Sequence, residues 1–150
     1  MRQHFLFLVL LLAPSATMAQ KTVCSDQKIR DAAQKPSASY SYSDDSFFWS
    51  GAYDTPMIGK TQQEIGAAKA KKEQPRKNEA SADHPQRVVV AKSGDMAYEY
   101  GTGNMSFDDE KTGKHVTFQT GYLRVWKSVD GECKVAAFMI KPIESTIEEK

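Results

Sequence analysis

Apolar and polar positions alternate most regularly between residues 93 and 142, and that stretch sets the expected fold. Residues 96–107 read as a strand with Met96, Tyr98, Tyr100 and Thr102 on one face. Gly101 and Gly103 interrupt the other face, and glycine at such positions permits a bulge or sharp coiling. A polar turn over 108–114 leads to a strand over 115–127. One face of that strand carries Phe118, Thr120, Tyr122, Arg124 and Trp126, and the other carries Gly121, Leu123 and Val125. Asp130-Gly131 closes a tight hairpin into a last strand over 133–140. Both faces of these strands hold apolar residues, which implies a sheet covered on both sides. Helices are available for one side, and a partner chain is a candidate for the other.

Upstream the pattern is weaker. Residues 22–33 read as a short helix with sparse apolar positions at Val23, Ile29 and Ala33, stopped by Pro36. Residues 37–46 are rich in Ser, Tyr and Asp and read as a loop. Phe47-Phe48-Trp49 reads as a short aromatic strand ended by Gly51, and residues 52–59 as irregular. Thr61-Gln-Gln-Glu64 has the spacing of a capping box, predicting a helix from Thr61 to about Lys72 with Ile65 and Ala68 on one stripe. Residues 73–85 are polar, contain Pro75 and Pro85, and read as a mobile connection. A strand follows over 87–91.

The first residues have a different character. Arg2 and His4 precede a continuous apolar run from Phe5 to Ala13, broken by Pro14, and Thr17-Met18-Ala19 supplies small residues for a signal peptidase. The expectation is an export signal over 1–19, cleaved after Ala19, and a periplasmic or secreted protein. The apolar run is shorter than the roughly 20 residues of a membrane span, so no stable membrane anchor is expected. Removing Arg2 leaves basic and acidic side chains balanced in the remaining chain. A neutral chain has no general electrostatic attraction to nucleic acid. The cluster Lys69, Lys71, Lys72, Arg76, Lys77 lacks interleaved aromatics and reads as a solvated face.

Two cysteines remain, Cys24 and Cys133. Export permits a disulfide, which would tie the two ends together across a loop of about 110 residues and stabilise by on the order of 4 kcal/mol. Two separate thiols, with Cys133 a small core residue, is the other reading. There is no Cys-X-X-Cys and the histidines are scattered, so neither a metal site nor a cofactor is expected.

Three blocks resemble the SnoaL-like and ketosteroid-isomerase-like domains of the nuclear transport factor 2-like superfamily. They are Asp44-Asp45-Ser-Phe-Phe-Trp49 followed by Pro56-Met-Ile-Gly59-Lys, then Ser93-Gly94-Asp95-Met-Ala-Tyr98, then Gly121-Tyr122-Leu-Arg-Val-Trp126 with Asp130-Gly131 and Lys134-Val-Ala-Ala. The resemblance implies an α+β fold: a cone-shaped, strongly curved antiparallel sheet packed against short helices. Together with the export signal over 1–19, it leaves a short helix and loop over 20–43 and a cone domain over 44–150. In two places the chain departs from the family. It lacks the long opening helix that roofs the cone, and it has Cys133 and Phe138 where members often carry an aromatic and an Asp.

Such a cone implies a pocket for a small, partly apolar molecule. Trp49, Tyr53, Tyr98, Tyr100, Tyr122, Arg124 and Trp126 are the candidate lining residues. Arg124 either pins a ligand carboxylate or covers the outer sheet face. Isomerase- or hydratase-like chemistry on an apolar carbonyl compound is the alternative. It needs a carboxylate lifted into an apolar pocket beside tyrosine donors. Tyr98, Tyr100 and Tyr122 are expected to converge, whereas Glu99 points to the face opposite Tyr98 and no carboxylate stands clearly among apolar neighbours. A third reading is a dimeric interaction module that pairs through Leu123, Val125, Phe138 and Ile140. No Gly-X-Ser-X-Gly elbow or phosphate-cradling glycine loop occurs.

Overall fold

The computed structural model describes residues 23–35, 40–51 and 53–148. The expected export signal and its cleavage after Ala19 lie outside them. The elements run α1 (Asp26–Ala33), β1 (Tyr42–Ser50), β2 (Met57–Ile58), α2 (Lys60–Glu73), β3 (Arg76–Val90), β4 (Met96–Asp109), β5 (His115–Val129) and β6 (Glu132–Glu148). The six strands form one curved, unclosed sheet in the order β2-β1-β6-β5-β4-β3. Its ladders are antiparallel except β1 with β6, which is parallel, so the sheet is mixed rather than purely antiparallel.

The β3–β4–β5–β6 meander is the expected block, with longer strands. At the β5–β6 turn, Asp130 and Gly131 both have positive φ (53° and 79°), the geometry of a type I′ hairpin. Glycine at 101 lets two strands close up, because a Cβ there would strike the backbone carbonyl of His84 on β3. Register shifts at Pro85/Arg87, Gln119/Thr120 and Val125/Trp126 help to bend the sheet.

Four local expectations are corrected. Residues 42–46 are strand, not loop. Their buried serines find partners: Ser43 Oγ donates to the Val135 carbonyl at 3.2 Å, and Gln63 Nε2 donates to Ser46 Oγ at 2.9 Å. Residues 76–85 are also strand, not a mobile connection. β3 is an edge, so exposed polar side chains and a proline beside a register shift are tolerated there. β6 runs past Ile140 to Glu148. β1 stops pairing with it at Ile140, so Pro142 deprives no neighbour of a hydrogen bond on that side.

The fourth correction concerns α2. It starts at Lys60 with Gly59 as its N-cap, which places Thr61 inside the helix where it cannot cap. Gln62 Oε1 instead accepts from the Ile58 amide at 2.8 Å. Ile65 is exposed; the packed side of α2 is that of Gln63 and Gly66, where a Cβ on Gly66 would collide with Met57 Sδ. No α2 residue is buried, so the helix lies on the sheet with little apolar anchorage.

α1 begins at Ser25, whose side chain accepts from the Lys28 amide, and buries Ile29 and Ala33. Cys24 and Cys133 form a disulfide with Cα atoms 5.1 Å apart, and the Cys24 amide donates to the Gly94 carbonyl at 2.9 Å. The bridge therefore fastens the start of α1 to the β5–β6 hairpin and the tip of β3–β4. Cys24, Ile29, Tyr40, Ala97, Tyr122, Trp126, Val135 and Phe138 form the core beneath it.

The bridge closes a separation of 109 residues. Replacing Cys24 and Cys133 together by Ser is expected to lower stability by about 2–5 kcal/mol in urea denaturation, the range for a native disulfide. Unchanged stability would show that α1 is held without it.

Candidate functional site

On β5 the side chains of Thr120, Tyr122, Arg124 and Trp126 point to one face and are buried, while their odd-numbered neighbours face outward. On β4 the inward set is odd: Ala97, Glu99, Gly101, Gly103 and Phe107. The pairing Asp108↔His115 sets the register that brings Glu99 opposite Arg124. Two ionisable groups thus meet at the narrow end of the sheet, both fully buried.

Arg124 Nη1 donates to Glu99 Oε1 at 2.6 Å, and its Nη2 donates to Asp83 Oδ2 on β3, also at 2.6 Å. Trp126 Nε1 donates to the same Glu99 oxygen at 3.2 Å, and the Tyr40 hydroxyl donates to Asp83 Oδ2 at 2.9 Å. Aromatic rings surround the guanidinium. Its carbon lies 4.3 Å from the centroid of Tyr40, 4.5 Å from Phe138 and 4.8 Å from Tyr122. Such rings offer a cation their electron-rich faces. Glu99 Oε2, the Tyr122 hydroxyl and Arg124 Nε have no hydrogen-bond partner among the described residues.

Burial governs the proton affinities here. It pushes the Glu99 carboxyl above its ordinary range; Arg124 and the Trp126 indole pull it back, and nearby Asp83 adds to the rise. Burial likewise raises the Tyr40 and Tyr122 hydroxyls. Arg124 is held above its ordinary value although burial opposes its charge, because Tyr40, Glu99 and Asp83 outweigh the desolvation. The rise of Glu99 is thus a desolvation effect that its ion pair with Arg124 only partly offsets.

Of the candidate lining residues, Tyr53 lines the cavity between α2 and the sheet, and the other six separate into two groups. Tyr122, Arg124 and Trp126 lie inside, in or beside the ionic cluster. Tyr98 and Tyr100 do not converge with Tyr122. They stand on the outer face at 42% and 41% exposure, because a strand alternates and Glu99 between them points inward. Trp49 is also on the outer face, 45% exposed, and its indole donates to the Tyr53 carbonyl at 3.2 Å. Arg124 neither covers the outer face nor opens to a ligand; it holds two carboxylates. The expectation that no carboxylate is buried among apolar groups is corrected by Glu99. Asp83 and Tyr40 escaped the sequence reading because both sit in segments that read as loop.

A cavity of about 610 Å³ opens at the wide end, between α2 and the inner sheet face. Phe48, Met105, Phe118 and Ile140 supply its apolar wall, and Lys71, Arg76 and Glu79 its charged groups. Glu99 does not line it. A depression of about 540 Å³ lies against β1, β5 and β6, lined by Trp49, Tyr53, Tyr122, Leu123, Met139 and Ile140. Among the described residues no three His, Cys, Asp or Glu side chains gather as metal ligands, and no helix is long and apolar enough to cross a membrane.

No protein-family model matches the chain, and no curated protein sequence matches it. Solved structures do. A ketosteroid isomerase-like protein from Erwinia carotovora atroseptica superposes with a TM-score of 0.58 at 18% identity, covering 69% of this chain and 77% of that one. A nuclear transport factor 2-like superfamily protein from Salmonella enterica serovar Typhimurium superposes with a TM-score of 0.58 at 10% identity, covering 69% and 71%. A hexachlorocyclohexane dehydrochlorinase of type 2 superposes with a TM-score of 0.54 at 14% identity, covering 73% and 72%. The chain therefore has the nuclear transport factor 2-like fold, an α+β architecture.

Removing one partner of a buried pair strands the other. Arg124→Met is expected to lower stability by about 3–5 kcal/mol in chemical denaturation, and adding Glu99→Leu to it should recover part of that loss. A loss under about 1 kcal/mol would mean that the cluster contributes little beyond an ordinary surface pair. The pH dependence follows from the raised Glu99. Its contribution is full below the unfolded carboxyl value of about 4.3 and is lost as pH rises through the folded value. Glu99→Gln should remove that decline, which denaturation curves measured from pH 4 upward would show.

Proposed function

We propose that the chain is an exported small-molecule-binding domain that takes a partly apolar ligand in the wide-end cavity. The observation that carries this reading is the cavity itself: about 610 Å³, apolar along its sheet wall, with a few polar groups at its α2 and β3 side. The loosely anchored α2 supports it, since a helix with no buried residue is a low-cost element to displace for ligand entry. The disulfide supports export, because such bridges persist in oxidising compartments.

The isomerase- or hydratase-like alternative has less support. Glu99 is a carboxylate beside a tyrosine hydroxyl, but it is fully buried, hydrogen-bonded to Arg124 and Trp126, and not part of the cavity wall. A general base must come within hydrogen-bond reach of the proton that it takes.

A second reading, a homodimer, rests on the outer face. Met96, Tyr98, Tyr100 and Trp49 are large and exposed there, and Leu123 and Met139 lie on the same side. Phe138 and Ile140, expected as dimer residues, face inward and belong with the core and the cavity wall.

Two experiments test these readings. N-phenyl-1-naphthylamine, an uncharged apolar probe, is expected to bind saturably to the oxidised protein, and Ala70→Trp, which fills the cavity from α2, should abolish that binding. Absence of saturable binding by any apolar probe would sink the binding reading. For the outer face, sedimentation should show a dimer that Tyr98→Glu with Tyr100→Glu converts to monomer; a wild-type monomer at high concentration disposes of the dimer.

A further inference from the structure

Two arginines pack against the inner side of the sheet, and their surroundings differ. Arg124 is sealed at the narrow end with a carboxylate oxygen 2.6 Å from each of its terminal nitrogens. Arg76, the first residue of β3, lines the wide-end cavity. Its guanidinium lies over the Phe107 ring, 4.1 Å from the centroid, which fixes its place. Its Nη2 donates to the neutral amide oxygen of Gln74 at 2.9 Å, and its Nη1 lies 4.0 Å from Met105 Sδ. The carboxylate paired with it, Glu79, is exposed and 3.9 Å away, outside hydrogen-bond range. An ion pair of that kind contributes little and leaves the guanidinium able to accept a better partner. Lys71, in the last turn of α2, lines the same cavity and makes no ion pair among the described residues. The wall therefore carries two cations against one distant carboxylate, beside a surface of Phe48, Phe118 and Ile140.

We propose that the ligand of this cavity is an organic acid with an apolar body, its anionic group held by Arg76 and Lys71 and its body laid against the aromatic sheet wall. This rests on the reading that the cavity binds a small molecule. A planar guanidinium fixed on a ring suits an oxyanion, which accepts two parallel hydrogen bonds from it. The apolar wall supplies affinity without direction, and the two cations supply the selection.

The test uses two probes that share one ring system and differ in charge. The oxidised full chain is titrated with 8-anilinonaphthalene-1-sulfonate and with N-phenyl-1-naphthylamine, and probe fluorescence is followed. The sulfonate is expected to bind at least about tenfold tighter. Arg76→Gln and Lys71→Gln should each weaken the sulfonate severalfold and the amine much less, so that the preference for the sulfonate shrinks. Lys71 is exposed, so its variant keeps the test valid if Arg76→Gln unfolds. Equal affinity for the two probes, or a sulfonate indifferent to both substitutions, overturns the anion assignment and leaves the binding-domain reading standing. Binding of neither probe overturns both. Sulfonate binding undiminished in Ala70→Trp places the probe elsewhere, such as the outer face, and overturns the assignment as well.

Discussion

The fold depends on a charge that water cannot reach. Arg124 is fully buried, and a buried guanidinium is tolerated only when its charge is compensated where it stands. Three different strands and the segment before β1 meet that demand. Glu99 comes from β4, Trp126 from β5 itself, Asp83 from β3, and Tyr40 caps the Asp83 carboxylate. The cluster is a registry device as much as a store of stability. A slip of β4 against β5 by one residue would turn Glu99 outward and bring Tyr98 or Tyr100 in against Arg124.

The same cluster divides the concave side into two regions. At the narrow end, polar groups are sealed under α1, whose start is fixed by the Cys24–Cys133 bridge. At the wide end, α2 covers the sheet without burying a residue, and the cavity lies beneath it. One helix is covalently secured over a satisfied core, and the other rests lightly over open space. This asymmetry concentrates rigidity at the narrow end and leaves the space for the proposed ligand at the wide end. Glu99, the carboxylate most suggestive of catalysis, belongs to the sealed region and not to the cavity wall.

The regular alternation of β4, β5 and β6 and the Asp130-Gly131 turn made the meander legible from the chain alone. A period of two and a turn with two positive φ values are local properties. The cysteine pair was legible as a possibility, since its pairing is a matter of distance in three dimensions. The apolar parts of β1 and β3, 47–49 and 87–90, were legible as strand, whereas residues 42–46 of β1 and 76–85 of β3 were misread because those stretches are mostly polar. Their strand character comes from pairing partners far away in sequence, β6 for one and β4 for the other, and from serines satisfied by groups that those partners bring. Thr61 carried a correct capping signal in isolation, overridden when Gly59 turned the chain two residues earlier.

The sequence by itself determined which residues share a face, because that follows from backbone geometry along one strand. Tyr98 with Tyr100, and Tyr122 with Arg124 and Trp126, are such sets. Only the tertiary structure decided which face is inside. That choice depends on the direction in which the whole sheet bends and on where α1 and α2 lie, and both are set by contacts between distant segments. It turned Tyr98 and Tyr100 outward, drew Glu99 and Asp83 to Arg124, and left Arg76 facing a cavity with no carboxylate in hydrogen-bond reach among the described residues.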